Sequence, residues 1–303
     1  MLLSENWTIV DQSRLDILVD WAVKAEKAGV WGVMTSEHLC MGPGAGEKGR
    51  EANPRAYMAP GNQAPDTPWP HSQMLNAAIA SRTSTLCLAL CAQIMPLYHP
   101  IALAKQLATL DLLAKGRLIV QPTVSWHKEE YDCFGIPFKK RGKILEEQLQ
   151  ILKLLWQPSP ASFEGEHFKF ENCYCDPKPW REGGPKLWFG GQKMSGFLLK
   201  RLVEYGHGFH PFGLPSEEDL NMLKTGLEAV GKDYDAFPKV GGIQAKFTSD
   251  DKPANLKDSM PSIIPQLERG FNTICVKPNQ FIDQADQIDD FLGELVEEFS
   301  KLA

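Results

Sequence analysis

The sequence holds no Cys-x-x-Cys pair, no His-x-His, no Gly-x-Ser-x-Gly elbow and no long apolar run, and each absence removes a class of function. Seven cysteines, an odd number, argue against a disulfide framework or a zinc knuckle and are expected to be mostly small buried apolar residues. Without an elbow, or a signature linking Cys to His, covalent hydrolysis has little support. The longest nearly apolar run, Leu86 to Met95, is interrupted by Gln93 and falls short of the roughly 20 residues a bilayer demands. Basic residues form no stripe and the net charge is -6, so nucleic acid is not an expected partner. The first residues, MLLSENWTIVDQSR, carry no basic and apolar leader, and a cytoplasmic location is the expectation.

What is present is ordinary for a globular protein of 303 residues, 43% hydrophobic and 23% charged. Strand-like and helix-like segments alternate, which favours parallel strands with crossover helices. Helices are expected over residues 12–28, 71–82, 99–116, 139–156, 193–205, 216–231, 255–269 and 284–301. Strands are expected at VWGVMTS, TLCLALCAQ, GRLIVQ, KLWFGG, GFHPF, VGGIQAKF and NTICVKP. An eighth would come from MLLSENWTIV, so the first strand is either very short or begins upstream. One closed (β/α)8 barrel, residues 1–303 as a single domain, fits this order, with chemistry at the carboxy-terminal ends of the strands. The Gly- and Pro-rich segment 40–70, which follows the second strand, reads as a long lid or binding loop, and the irregular segment 157–185 reads equally as a domain boundary or as an insertion in one barrel loop, the single-barrel reading taking the latter.

Several residues at strand ends carry candidate chemistry. Glu37-His38 closes the first clear strand; a lone His more often caps a turn, but a barrel strand end favours a functional His. Gly190-Gly191-Gln192 lies where a strand meets a helix, so its free amides suit a phosphate, although a tight turn explains the glycines equally well. GPGAGEKG (42–49) resembles a phosphate loop but fails the Walker spacing. His207 and His210 are spaced for metal without further ligands nearby, and no metal site is expected. Of the acidic pairs Glu129-Glu130 and Glu146-Glu147, the second reads as a solvated helix face. In the stretch GRLIVQPTVSWHKEEYDCFG, an apolar strand runs directly into polar groups and a tryptophan, the mark of a pocket edge rather than of solvent.

The ordered pieces AEKAGVWGVMTSEHL, TPW, HPIALAKQLATLDLLAKGR, WHKEEYDCFGIPFKKRGKILEEQLQILKLLW, FEGEHF, CDPKPW and PKLWFGG resemble the bacterial-luciferase-like superfamily of flavin- or deazaflavin-dependent oxidoreductases, over roughly residues 12–212. That resemblance implies a (β/α)8 barrel, usually dimeric, that binds FMN or coenzyme F420 at its carboxy-terminal rim and acts on a small molecule. By position it implies His38 facing the reactive ring, Leu90, Cys91 and Ala92 at a strand bulge backing the ring plane, and Thr123 and Ser125 along the cofactor tail. It also implies Gly190, Gly191 and Gln192 at the phosphate, with Trp69 and Trp126 screening the substrate pocket. Gln121, Thr123 and Ser125 stand where many members have glycines. Trp126 stands where some F420-dependent members have a proton-donating Glu, so that role is not carried over. The expected activity is F420-dependent hydride transfer. The alternatives are an FMN-dependent monooxygenase using O₂, a non-catalytic flavin-binding barrel and, third, a metal-dependent hydrolase.

Overall fold

The computed structural model describes residues 1–46, 53–56 and 64–302. In chain order its strands are β1 (Gly32–Thr35), β2 (Cys87–Ile94), β3 (Leu118–Thr123), β4 (Ala161–Glu164), β5 (Lys169–Cys173), β6 (Lys186–Phe189), β7 (Gly208–Phe209), β8 (Val240–Gly242) and β9 (Thr273–Cys275). Its helices are α1 (Leu15–Lys27), α2 (Ser72–Arg82), α3 (Pro100–Leu113), α4 (Lys128–Cys133), α5 (Arg141–Leu155), α6 (Gly196–Glu204), α7 (Glu217–Glu228), α8 (Leu256–Ser259), α9 (Ile264–Glu268) and α10 (Ile288–Ser300).

The parallel order β1-β2-β3-β6-β7 is continued by single rungs into a ring. Phe209 bridges to Lys239 ahead of β8, β8 pairs with β9, and the Leu2 amide donates to the Val276 carbonyl at 2.9 Å. Leu3 N–H donates to Met34 O and Met34 N–H to Met1 O, both at 2.8 Å, so the expected eighth strand is one rung centred on Leu2. A ring leaves no open edge. Inside it lie Leu2, Met34, Ala89, Cys91, Ile119, Trp188 and Val240, while alternate residues such as Val33, Leu88, Leu90 and Val120 face the helices. This is the period-two alternation that sorts each strand between barrel interior and helical jacket.

The helices form for local reasons. In α1, Leu18, Trp21, Ala22 and Ala25 bury one face, and Gly29 at φ +87° lets the chain turn away. Pro100 opens α3, and Ser216 and Asp219 form a capping box on α7. The helix expected over 255–269 is broken into α8, a 3₁₀ turn and α9, because Pro261 and Pro265 each lack an amide for the preceding turn.

Two expectations are corrected. Residues 157–185 are not irregular throughout: β4 and β5 form an antiparallel hairpin with Phe163 and Phe170 stacked across it. Glu147 is not on a solvated face, since its carboxylate accepts from the amides of Glu166 (2.8 Å), His167 (3.0 Å) and Phe168 (3.1 Å) at the hairpin turn. Glu146 pairs with Arg201 at 2.6 Å. The short helix α4, inside the WHKEEYDC stretch, was not expected at all, and it supplies the main support of the candidate site.

Candidate active site

His38 lies three residues past the end of β1 and is nearly buried. Its Nδ1 is 3.0 Å from Glu130 Oε2, and Glu130 has no exposed surface. The other carboxylate oxygen, Oε1, accepts from the Leu39 amide at 2.6 Å. One buried carboxylate therefore fixes both the imidazole and the backbone that follows it. The His38 ring meets the edge of Trp69 (centroids 5.0 Å apart) and that of Trp126 (5.8 Å), and Trp7 packs on Trp69 at 5.1 Å. Indoles at these spacings lower the local dielectric around the ring.

The segment after His38 is latched to the WHKEE stretch at two further points. His127 Nε2 accepts from the Gly42 amide at 2.7 Å, which places any single proton on Nδ1, and burial lowers the His127 pKa. Glu129 accepts from the Gly44 amide at 2.9 Å. A Cβ on Gly42 would stand 2.0 Å from Glu129 Oε2, so glycine there permits the close approach of a carboxylate, not of a phosphate. Residues 47–49 of GPGAGEKG lie outside the described residues.

Glu37, expected beside His38 as a candidate, works below it. Its buried carboxylate accepts from Ser72 Oγ (2.7 Å), Gln93 Nε2 (2.7 Å), the Ile94 amide (3.1 Å) and Tyr98 O–H (2.9 Å). Burial pushes its pKa up against those donors. It is a brace between β1, β2 and α2.

Leu90, Cys91 and Ala92 lie on β2. Cys91 pairs with Gln121 and Gln93 with Pro122, so Ala92 is the extra residue of a bulge, and the Cys91–Ala92 peptide is cis. The Leu90 side chain faces the helical jacket, so only its backbone is available to the barrel mouth. Thr123 Oγ1 accepts from the Ser125 amide at 3.3 Å; Ser125 has φ +56° and a buried hydroxyl without a partner among the described residues. Trp69 Nε1 is a second buried polar atom without a partner among the described residues.

Across the mouth, His210 Nδ1 is 2.7 Å from Gln121 Oε1, which ties β3 to the end of β7. Gln121 is thus occupied by His210. Burial, then Lys277, lowers the His210 pKa from 6.5 to about 4. Between those values the unfolded chain binds the proton that the native state refuses, so stability falls as pH drops from 6.5 to 4. At about 1.36 kcal/mol per pH unit this is worth up to about 3 kcal/mol. Urea unfolding of His210→Asn across that window should show a shallower acid-side loss than the parent; parallel curves would refute it. His207, its supposed metal partner, instead accepts from the Leu187 amide at 3.2 Å. Among the described residues no group of three or more His, Cys, Asp or Glu could hold a metal.

At the end of β6, a Cβ on Gly190 would fall 1.7 Å from the His210 carbonyl oxygen, so the glycine is dictated by a neighbouring backbone. Beyond it the amides of Gly190, Gly191, Gln192 and Lys193 donate to no described group, while the Met194 amide donates to Asp219 at 2.8 Å. The structure therefore assembles His38, Trp69 and Trp126 into one cluster and, among the described residues, leaves the donors at 190–193 without a partner. A cavity of about 210 Å³ at the opposite end of the barrel, beside Trp31 and Trp188, contains none of these residues.

Glu130 and His127 were not singled out from sequence as partners of the candidate His. The available signal was their i, i+3 spacing next to Tyr131 in a segment already marked as a pocket edge. Glu130→Gln, which keeps the shape and loses the charge, should lower turnover about tenfold through a less firmly held imidazole. Steady-state kinetics with unchanged kcat would remove Glu130 from the site.

A model of the luciferase-like monooxygenase family matches residues 1–294. The chain belongs to that family. A pyrimidine monooxygenase, RutA, of Pseudomonas syringae pv. syringae is 34% identical over 140 residues, 43% of this chain and 38% of the relative. An FMNH₂-dependent dimethylsulfone monooxygenase of Pseudomonas putida is 33% identical over 184 residues, 58% and 49% of the two chains. An uncharacterised Mycobacterium bovis protein is 29% identical over 173 residues, 57% of this chain and 61% of the relative. This chain thus spans about three-fifths or less of these curated relatives. Among solved structures, monooxygenase RslO1 from Streptomyces bottropensis superposes with TM-score 0.71 at 17% identity, covering 99% of this chain and 98% of that one. An F420-dependent secondary alcohol dehydrogenase superposes at 0.68 and 17%, covering 93% and 94%. At such identities the likeness is one of fold, and the luciferase-like barrel is the fold of this chain.

Proposed function

We propose that this luciferase-like barrel is a two-electron oxidoreductase that takes F420 or FMN at its carboxy-terminal rim and acts on a small organic substrate. The observation that carries the reading is the His38–Glu130 pair, buried and walled by indoles at the strand ends where a luciferase-like barrel is expected to do chemistry. The residues fit a phosphate-bearing ring compound. Free amides at 190–193 suit the anion. The unpartnered Ser125 hydroxyl suits a polar tail, and the β2 bulge turns backbone toward the mouth. When bound, that group would supply the redox chemistry.

The chain's own residues would do the rest. Glu130 holds Nδ1 of His38, which leaves Nε2 as the atom that gives a proton or a hydrogen bond to the reacting oxygen or nitrogen of the substrate. Trp69 and Trp126 exclude water from that transfer and so strengthen it. F420 is the favoured cofactor because QPTVSWHKEEY resembles the F420-associated branch. An FMN-dependent monooxygenase is the second reading, favoured by the names of the curated relatives.

An absorbance titration of the apo protein with F420 and with FMN, oxidised and reduced, tests both. Saturable spectral perturbation by F420 supports the first reading; binding of reduced FMN with substrate-dependent O₂ uptake supports the second. If no ring compound perturbs the spectrum, the proposal fails.

A further inference from the structure

Two imidazoles stand at the strand ends, and they are held by opposite kinds of partner. His38 leans on a carboxylate, whereas His210 leans on an amide. Phe209 and Val120 turn to the helical jacket, so period-two alternation puts His210 and Gln121 on the interior side of their strand ends. Trp188, inside the barrel, lies beside the His210 ring with centroids 6.5 Å apart, and Phe212 flanks it at 6.1 Å. The His210 carbonyl is also the atom against which Gly190 packs, so this imidazole adjoins the amides at 190–193.

The Gln121 amide decides the tautomer. Its Nε2 faces the His210 backbone carbonyl at 3.4 Å, and its Oε1 faces His210 Nδ1 at 2.7 Å. Turning the amide over would set two oxygens against each other at the carbonyl, so Oε1 stays on the ring side and Nδ1 carries the proton. Nε2 is left with a lone pair. Among the described residues no donor meets it, and it is not sealed from solvent. Burial, then the charge of Lys277, keeps the ring neutral down to about 4; Lys277 is itself bound to Glu5 at 2.8 Å. A hydroxyl can meet an imidazole of either polarity, but a group with only a proton to give needs this locked acceptor.

We propose that His210 is a specificity-determining residue whose Nε2 accepts the N–H of a cyclic imide, the O=C–NH–C=O edge of a pyrimidinedione, with Gln121 as its positioning residue. The inference rests on the reading of the rim as the site of a ring compound, because the rings of FMN and F420 both end in that edge. A free pyrimidinedione substrate carries the same edge.

The test begins without cofactor. Long-range ¹H–¹⁵N spectra of histidine-labelled protein at neutral pH should show one imidazole, absent from His210→Phe, with Nδ1 protonated and Nε2 bare. A protonated Nε2 overturns the proposal whether or not any ring compound binds. FMN, F420 and uracil, which is the imide edge without fused rings or chain, are then titrated separately. The Nε2 resonance should move on saturation with FMN or F420 if the cofactor supplies the N–H, and with uracil if the substrate does. His210→Phe should weaken that ligand about 5- to 10-fold. Gln121→Glu still accepts from Nδ1 but adds a charge that raises the His210 pKa, so Nε2 becomes a donor as pH falls. Affinity should be level between about pH 8 and about pH 5 in the parent and should drop on the acid side in Gln121→Glu. A merely structural tie between the strands would leave both profiles level, and that result overturns the proposal. FMN or F420 perturbing the absorbance while none of the three ligands moves the His210 resonance overturns it too, and leaves the proposed function standing.

Discussion

Replacing His38 by Ala will lower turnover by about 10²- to 10⁴-fold, the usual worth of a positioned proton donor, with little change in cofactor affinity. The expectation rests on what holds the ring. Glu130 Oε2 takes Nδ1, and Trp69 and Trp126 present their edges, so the imidazole has one orientation and indoles beside it. Alanine would also strand a fully buried carboxylate with only the backbone amides for company, which itself destabilises. His38→Gln is the cleaner companion, because its amide can still donate to Glu130 but cannot pass a proton at neutral pH. Both variants should share the kinetic loss, and His38→Gln should unfold close to the parent in urea. A fall in cofactor affinity equal to the fall in turnover would contradict the role, since it would make His38 a binding residue alone.

Gly190→Ala should cost at least about 3 kcal/mol, beyond ordinary overpacking, and should abolish tight cofactor binding. The added methyl would sit 1.7 Å from the His210 carbonyl oxygen, a backbone atom that no rotamer change can move. β6 and β7 are joined there by two rungs only, Trp188 to Gly208 and Phe189 to Phe209, so the strands would have to part. His210 would move with β7 and take Gln121 with it. Gly191→Ala is the control: its methyl would meet Leu198 Cδ2 at 3.3 Å, the end of a side chain that can yield, at a cost below about 1.5 kcal/mol. Urea unfolding with cofactor titration of both variants decides the matter. Equal damage from the two, or none from Gly190→Ala, would refute this account of the strand end.

The long, periodic elements were legible in the sequence because burial of one face is written every three or four residues. Helices α1, α2, α3, α5, α6 and α7 lie within the expected segments. Strand ends were less legible. β7 and β8 reduce to two and three residues, since Pro211 has no amide to continue a ladder and the β8 segment pairs only as far as Gly242. The hairpin at 161–173 was missed because its residues are mostly exposed or half-buried, and its turn is held by Glu147 from another element. α4 was missed because six residues are too few to show a period.

By itself, then, the sequence determined the alternation of strand and helix, the position of His38 at a strand end, the indoles near it, and the glycines at 190–191. Tertiary structure decided which of those residues meet. Glu37 and His38 are neighbours in the chain, yet one braces the helical jacket and the other turns to the mouth, because successive side chains leave a strand end on opposite sides. Glu130, 92 residues from His38, became its partner only when closure of the ring set β1 and the segment after β3 side by side. No local pattern encodes that distance; it arises when eight short strands satisfy one another's backbone groups around a common core.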